Sequence, residues 1–185
     1  DSSSTRPSPS DAEFSYTYVQ VGISGFERIY DGHWTGGYDV RGSYEFADNF
    51  FVHARYAEFN TGQFELHDEQ QYEIVFGYHT EITSSNDFVV SLSRGTVDSG
   101  CSIFECTRES GYSFSAGIRT AITERVQSKV MLGYNDGGDR YMYDKKTTAN
   151  IDITYNFSEV FDVFFDTKLL NLYEPFYTFG VRAKF

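Results

Sequence analysis

Few residues in the chain could do covalent or metal chemistry, and their spacing favours a structural role. Cys101 and Cys106 enclose four residues in a segment rich in turn formers. Two cysteines this close, without a further cysteine to complete a metal site, predict a disulfide at a hairpin tip and therefore an oxidising compartment. Two free thiols in a cytosolic loop are the alternative. No metal or cofactor is predicted.

The histidines offer one catalytic alternative. His33 and His67 fall in predicted long loops, with Asp31, Asp68 and Ser99 as possible partners. A histidine beside a serine or an aspartate could support hydrolysis of a lipid or a peptide. No Asp-x-Asp or Asp-x-His pair shares a strand face near these loops, so we predict that the protein is not an enzyme.

Composition excludes several other classes of protein. The chain has 185 residues and a net charge of −12, and a nucleic-acid binder would need a basic face. Aromatic residues make up 18 %, too many for a disordered chain. No run of about 20 apolar residues could form a membrane helix. The chain must therefore fold, and any crossing of a membrane must use strands.

Apolar and polar residues alternate along the chain after residue 11, which predicts β-strands with most of the charged residues on one face. Four short polar breaks, after Phe46, Ile82, Ile122 and Phe157, alternate with five longer polar segments. Nine connections predict ten strands, at about 14–24, 37–46, 50–59, 71–82, 88–96, 111–122, 126–135, 148–157, 160–170 and 176–185. Residues 1–11 are rich in serine and proline and predict a flexible tail.

One face of these strands carries most of their charge. Seven acids and seven bases share it with His53 and His79, and they are Asp39, Glu45, Glu73, Glu81, Asp152, Asp162, Asp166, Arg41, Arg55, Arg119, Lys129, Lys168, Arg182 and Lys184. A neutral but highly charged face suits an enclosed, ion-paired lumen, because unpaired charges are costly at low dielectric.

The opposite face is apolar, with only Glu58 and Arg94 as charges near one rim. Tyr and Phe cluster at its strand ends, Tyr16 and Tyr18 among them, which is typical of the aromatic girdles of a membrane barrel. A soluble sandwich or ligand carrier, with the apolar face inside, is the alternative.

The last ten residues narrow the choice. Tyr177, Phe179, Val181, Ala183 and Phe185 share the apolar face, and Gly180 precedes the final aromatic by five residues. This pattern resembles the C-terminal signal of bacterial outer-membrane β-barrels, which the barrel-assembly machinery reads.

The chain from about residue 12 to 185 resembles the OmpA/OmpX-like class of small outer-membrane barrels. The resemblance implies an all-β fold, a single closed antiparallel transmembrane β-barrel. We expect about ten strands, with the eight of that class as the alternative. It also implies the bacterial outer membrane, with the tight turns, both termini and the tail 1–11 in the periplasm.

Three functions stay open for such a barrel. The first is a structural or surface-interaction role through extracellular loops, with outer-membrane lipid, lipopolysaccharide and an unidentified extracellular or periplasmic protein as partners. Its loop-binding candidates are the aromatics Phe26, Tyr30, Trp34, Phe104, Tyr141 and Tyr143. The second is a narrow pore along a lumen wall of small residues, such as Ser91, Ser93, Ser113, Ser115 and Gly133. The third is an outer-membrane enzyme.

Overall fold

Ten antiparallel strands make up the fold. The computed structural model describes residues 14–27, 34–60, 69–101, 106–136, 146–170 and 174–185. The strands are β1 (Tyr18–Glu27), β2 (Trp34–Ala47), β3 (Phe50–Phe59), β4 (Glu69–Thr83), β5 (Asn86–Cys101), β6 (Cys106–Ala121), β7 (Val126–Asp136), β8 (Lys146–Asn156), β9 (Phe161–Leu170) and β10 (Glu174–Lys184). Ten strands are confirmed and the eight-stranded alternative is wrong. Within these residues there is no helix of the length and hydrophobicity needed to cross a membrane.

The sheet closes on itself through β1 and β10. Each strand pairs with its neighbours in sequence, and β10 also pairs with β1, with Gly22 opposite Gly180. A Cβ atom at Gly180 would lie 2.1 Å from the carbonyl oxygen of Val21. The closing seam therefore requires a glycine at this position, which is also part of the predicted C-terminal signal.

The two ends of the barrel differ. Four short connections lie at one end, here called the turn end, at 48–49, 84–85, 122–125 and 157–160. Asn49 adopts a φ of 78°, a left-handed conformation that asparagine tolerates better than most residues. Thr17 and Phe185 meet at the same end, where the Phe185 amide donates to the Thr17 carbonyl at 3.2 Å. The opposite end is here called the loop end, and its connections, like the predicted tail 1–11, lie outside the described residues.

Large apolar side chains cover the outside of the barrel. Ile23 is 70 % exposed and Ile74 63 %. These two belong to a belt to which nine of the ten strands contribute, with Val21, Val40, Phe76, Leu92, Phe114, Ile118, Val130, Leu132, Ile153, Phe165, Phe179 and Val181. Monomeric soluble proteins rarely expose apolar surface on this scale.

Aromatic rings border this belt at both ends. The loop-end ring contains Trp34, Tyr38, Tyr56, Tyr72, Tyr112, Tyr134 and Tyr177, and the turn-end ring contains Tyr44, Phe46, Phe50, Tyr78, Phe88, Tyr155, Phe157 and Phe161. The two charges of the apolar face lie in the loop-end ring. Tyr38 and Tyr56 both donate to the Glu58 carboxylate, and the Arg94 guanidinium lies 5.5 Å from the centre of the Tyr112 ring.

Tyr16 and Tyr18 do not belong to either ring, contrary to the prediction from the strand ends. Tyr16 is 4 % exposed and Tyr18 9 %, and both lie inside the barrel. In β1 the outer face is formed by Val19, Val21 and Ile23, so the alternation turns Tyr18 inward.

Candidate functional site

The candidate site is the lumen, and a four-residue ion-pair network lies at its centre. Asp39 of β2 is 1 % exposed, and its two carboxylate oxygens accept from the Nε atoms of Arg41 and Arg55, each at 2.5 Å. Arg41 also pairs with Asp166 on β9. The network therefore joins β2 and β3 to β9 through the inside of the barrel.

A second network lies on the wall formed by β8 and β10. Arg182 is 5 % exposed, donates to Gln20 at 2.9 Å and lies 3.4 Å from the Asp152 carboxylate. Its guanidinium stacks 4.3 Å from the centre of the Tyr18 ring. Next to it, Lys184 pairs with the buried Asp162 at 2.9 Å. Each buried carboxylate in this region therefore has a cation beside it.

Eight other predicted lumen residues are outside these two networks, and Glu45, His79 and Arg119 among them are described with the turn end below. Glu73 accepts from the Ser93 hydroxyl at 2.7 Å, and His53 lies 3.5 Å from the Tyr18 hydroxyl. Lys129 and Lys168 face the central cavity described below. Glu81 differs from the expectation of an enclosed position, because its side chain is exposed at the turn end of β4.

The turn end of the lumen is filled by residues 14–17, here called the N-terminal stopper. Tyr16 packs in an apolar cluster with Phe51, Val89 and Met131, and Phe14 packs against it. This segment was predicted to begin β1. It instead turns into the barrel mouth, because its two rings find apolar and cationic partners there.

Polar contacts hold the stopper in place. The Tyr16 ring stacks on His79 at a centroid distance of 3.8 Å, and its hydroxyl donates to Asp87 at 3.0 Å. Arg119 lies 4.7 Å from the centre of the Phe14 ring and 4.9 Å from that of Tyr16, and it donates to the Ser15 carbonyl at 3.1 Å. Burial raises the pKa of the Tyr16 phenol, which is a hydrogen-bond donor at neutral pH with or without this shift.

Two histidine contacts complete this end of the lumen. His79 lies 3.0 Å from a Glu45 oxygen and 3.6 Å from an Asp87 oxygen. Glu45 in turn is tied to the stopper, because its amide donates to the Thr17 hydroxyl at 3.1 Å. Glu45, His79 and Arg119, all predicted to face the lumen, therefore act together around the stopper.

An aromatic cluster occupies part of the lumen at the loop end. Phe59 is fully buried against Phe176, with Phe26 stacked 5.6 Å away from the Phe176 ring. Arg55 lies 5.4 Å from the centre of the Phe176 ring. Phe26 was predicted as a loop-binding aromatic, and this is corrected: it lies within β1 and faces inward, because β1 extends three residues beyond its predicted end.

Trp34 is corrected in the same way. It is the first residue of β2, is 61 % exposed on the outside and stacks on Tyr177 at 6.1 Å. It therefore belongs to the loop-end aromatic ring and not to a loop. The other loop candidates, Tyr30, Phe104, Tyr141 and Tyr143, lie outside the described residues, as do His33 and His67.

A cavity of about 190 Å³ lies between the stopper and the loop end. One wall is formed by small residues of β5, β6 and β7: Ser91, Ser93, Ser113, Ser115 and Gly133. The serines pair across strands, Ser91 with Ser115 at 2.7 Å and Ser93 with Ser113 at 2.6 Å. The sequence predicted room beside this wall, and the cavity lies there.

The predicted disulfide falls at the loop end of β5 and β6. The backbones of Cys101 and Cys106 are opposite each other in the strand register. Directly opposed residues in antiparallel strands have Cα separations within the range of a disulfide. The side chains are not among those described, so the bond stays a prediction.

Sequence reasoning missed two features of the lumen. Asp87 was assigned to a turn, yet it is 6 % exposed and binds both the stopper and His79. Asp87 is two residues before the inward-facing Val89, so the period of two could have predicted that Asp87 also faces the lumen. The stopper itself had no signal, because Phe14, Tyr16 and Tyr18 continue the period of β1.

Comparisons with known proteins identify the fold. No family model matches the chain, and no curated protein sequence does. Among solved structures, a KdgM porin is 13 % identical, with 90 % of this chain and 99 % of that chain covered and a TM-score of 0.52. A KdgM porin in complex with disordered oligogalacturonate is 14 % identical, with 90 % of this chain and 99 % of that chain covered and a TM-score of 0.51. The N-terminal β-barrel domain of Pseudomonas aeruginosa OprF is 14 % identical, with 93 % of this chain and 100 % of that chain covered and a TM-score of 0.44.

At these identities the likeness shows the fold alone. The chain has the closed antiparallel architecture of bacterial outer-membrane β-barrels, which confirms the fold predicted from its alternating strands and C-terminal pattern.

Proposed function

We propose that the protein is an integral outer-membrane barrel with a structural or surface-interaction role and a lumen closed to bulk transport. The observation that carries this proposal is the inverted distribution of polarity, with an apolar belt outside and ion pairs inside. A soluble barrel would need the opposite arrangement. In a bilayer the belt is removed from water, which stabilises the protein by about 25 cal/mol for each Å² of apolar surface.

The contents of the lumen support a closed state. Arg41 spans from β2 to Asp166 on β9, and residues 14–17 fill the turn end. Ten strands also enclose much less space than the 16 to 18 strands of open porins. Among the described residues, the side chains leave a cavity of about 190 Å³ in the lumen and a smaller one of about 30 Å³ next to Tyr16.

The orientation and partners of the barrel are part of the same proposal. The turn end would face the periplasm with both termini, and the loop end would face outward. Arg94 and Glu58, at the loop-end ring, would then lie near the headgroups of lipopolysaccharide, where a charge costs about 0–1 kcal/mol. Barrel assembly would use β10, whose Tyr177, Phe179 and Val181 face outward.

Single-channel recording tests the closed lumen directly. Purified protein is inserted into planar lipid bilayers in concentrated KCl. We expect insertion without steady current steps. Regular open-channel steps from most insertions would overturn the closed state and leave the membrane location to be judged separately.

A second candidate function is a narrow pore, and the cavity beside the serine wall favours it. The cavity runs from Met131, next to the stopper, to Asn135 and Thr148 near the loop end. Displacement of residues 14–17 would extend it to the turn end. The fold of the KdgM porins is consistent with this candidate. Current that appears only when the stopper is removed would favour it over a permanently closed barrel.

A further inference from the structure

The cavity holds charges that the ion-pair networks do not neutralise. Lys129 on β7 and Lys168 on β9 both line it, as does Glu73 on β4. Within the part of the chain that the structure describes, neither lysine ammonium lies within 4.0 Å of a carboxylate. The other cations of the lining, Arg41, Arg55 and Arg182, have carboxylate partners. Two ammonium groups and one carboxylate leave one positive charge in excess, inside a protein whose net charge is −12.

Of the acids near the lysines, Asp152 is already engaged, and Glu73 interacts with Lys168 and offsets one of the two positive charges. Asp152 lies opposite Lys129 in the register, but its oxygens contact Arg182 and accept from Thr154 at 2.9 Å. Lys168 has Asn150 opposite it and no acid. Enclosed ammonium groups are costly unless a counter-charge or water compensates them. An anion in the cavity would supply the missing charge.

Asn135 gives a second, independent sign of a ligand. It is 2 % exposed, lines the same cavity, and its side-chain nitrogen has no hydrogen-bond partner among the described residues. Buried amide donors are rarely left unpaired. This donor lies on β7, the strand of Lys129. The same strand therefore carries one of the two lysines and a buried N–H group without a partner among the described residues.

We propose that the cavity is a binding site for a small organic monoanion with a carboxylate, held by Lys129 and Lys168 and by the amide of Asn135. The volume of about 190 Å³ is below the roughly 300–1,000 Å³ of sites for drug-sized ligands, so the ligand is small. Glu73, fixed by Ser93, repels a second negative group. Binding goes beyond the proposed function, because it requires neither conduction nor a closed lumen.

The experiment is an NMR titration of the purified full chain in detergent micelles. Sodium acetate is the probe, and sodium chloride at equal ionic strength is the reference, with equilibration overnight. We expect saturable shifts of the Asn135 side-chain amide with acetate and not with chloride. Absence of saturable shifts would overturn the site.

Variants connect the shifts to the lysines. Lys129→Met and Lys168→Met each remove a charge-assisted hydrogen bond and should raise the dissociation constant for acetate about tenfold or more. Glu73→Gln should lower it. Arg94→Met is the matched control, because it removes one positive charge from the outer face. Unchanged affinity in both lysine variants, or an equal loss in Arg94→Met, would contradict the proposal. If a lysine variant does not fold, the sign of the change in Glu73→Gln decides.

Discussion

Asp39 is the residue on which the order of the lumen depends most. It is almost fully buried and accepts from Arg41 and Arg55. Removal of its negative charge therefore leaves two guanidinium groups side by side without the carboxylate that they share. Asp39→Asn should destabilise the barrel by about 3–5 kcal/mol, the usual cost of breaking a buried charge pair on one side. Urea unfolding from lipid vesicles measures the change.

The exposed turn between β2 and β3 supplies the control for this substitution. Asp48→Asn makes the same chemical change at an exposed site, and we expect an effect within about 0.5 kcal/mol. If Asp39→Asn unfolds at the same urea concentration as Asp48→Asn, the network contributes nothing to stability and the account of the lumen is wrong.

At the residue scale, the sequence predicted which face each charged residue occupies but not its partner. Arg41 alternates correctly with Val40, which follows from the period of two. Its pairing with Asp166 depends on how two strands that are far apart in the chain meet across a lumen, and no local pattern encodes that distance. Phe26 shows the related failure, because a large aromatic near a polar segment reads equally as loop or as lumen filling.

The N-terminal stopper is the element most open to a direct test. Phe14→Ala with Tyr16→Ala removes both rings that fill the turn end, while the register of β1 with β2 and β10 begins only at Tyr18. The second candidate function, the narrow pore, predicts that this variant folds and gives current steps in planar bilayers that the wild type lacks, whereas a permanently closed barrel gives none because Arg41 and Asp166 still cross the lumen.

A matched double variant separates the stopper from a general loss of aromatic packing. Phe157→Ala with Phe161→Ala removes two stacked rings from the outer surface at the same end, where they do not touch the lumen. Its current should stay at the wild-type level. Equal currents for the stopper variant and the wild type would show that residues 14–17 do not control the lumen.

The strands were predictable as elements because two signals agreed. Alternation indicated the faces, and the short polar breaks indicated the number of strands, so the pattern of residues was enough to predict ten. Strand ends were less predictable. β5 and β6 each have 16 residues, and their extension toward Cys101 and Cys106 crosses residues that read as a loop. Pairing between the two strands, which a single-strand pattern does not contain, sustains the extension.

At the scale of the whole molecule, closure and polarity explain each other. A closed sheet leaves no unpaired edge, so the barrel can lie in hydrocarbon with every strand hydrogen-bonded. The side chains then need an apolar exterior and an interior in which most charges are paired, and both are present. The sequence predicted this arrangement from the balance of seven acids and seven bases on one face. It did not predict the stopper or the cavity, because both depend on side chains from several strands.

The central claim is that the outer belt contacts lipid hydrocarbon, and tryptophan fluorescence in brominated lipid tests it most directly. The chain contains a single tryptophan, Trp34, so Trp34→Phe gives a silent background. Leu92→Trp then reports the middle of the belt, and Phe164→Trp reports the lumen, where Phe164 is 1 % exposed. We expect phosphatidylcholine brominated deep in its acyl chains to quench the tryptophan at 92 strongly and the one at 164 weakly. Quenching of the tryptophan at 92 by aqueous acrylamide and not by brominated lipid would contradict the account.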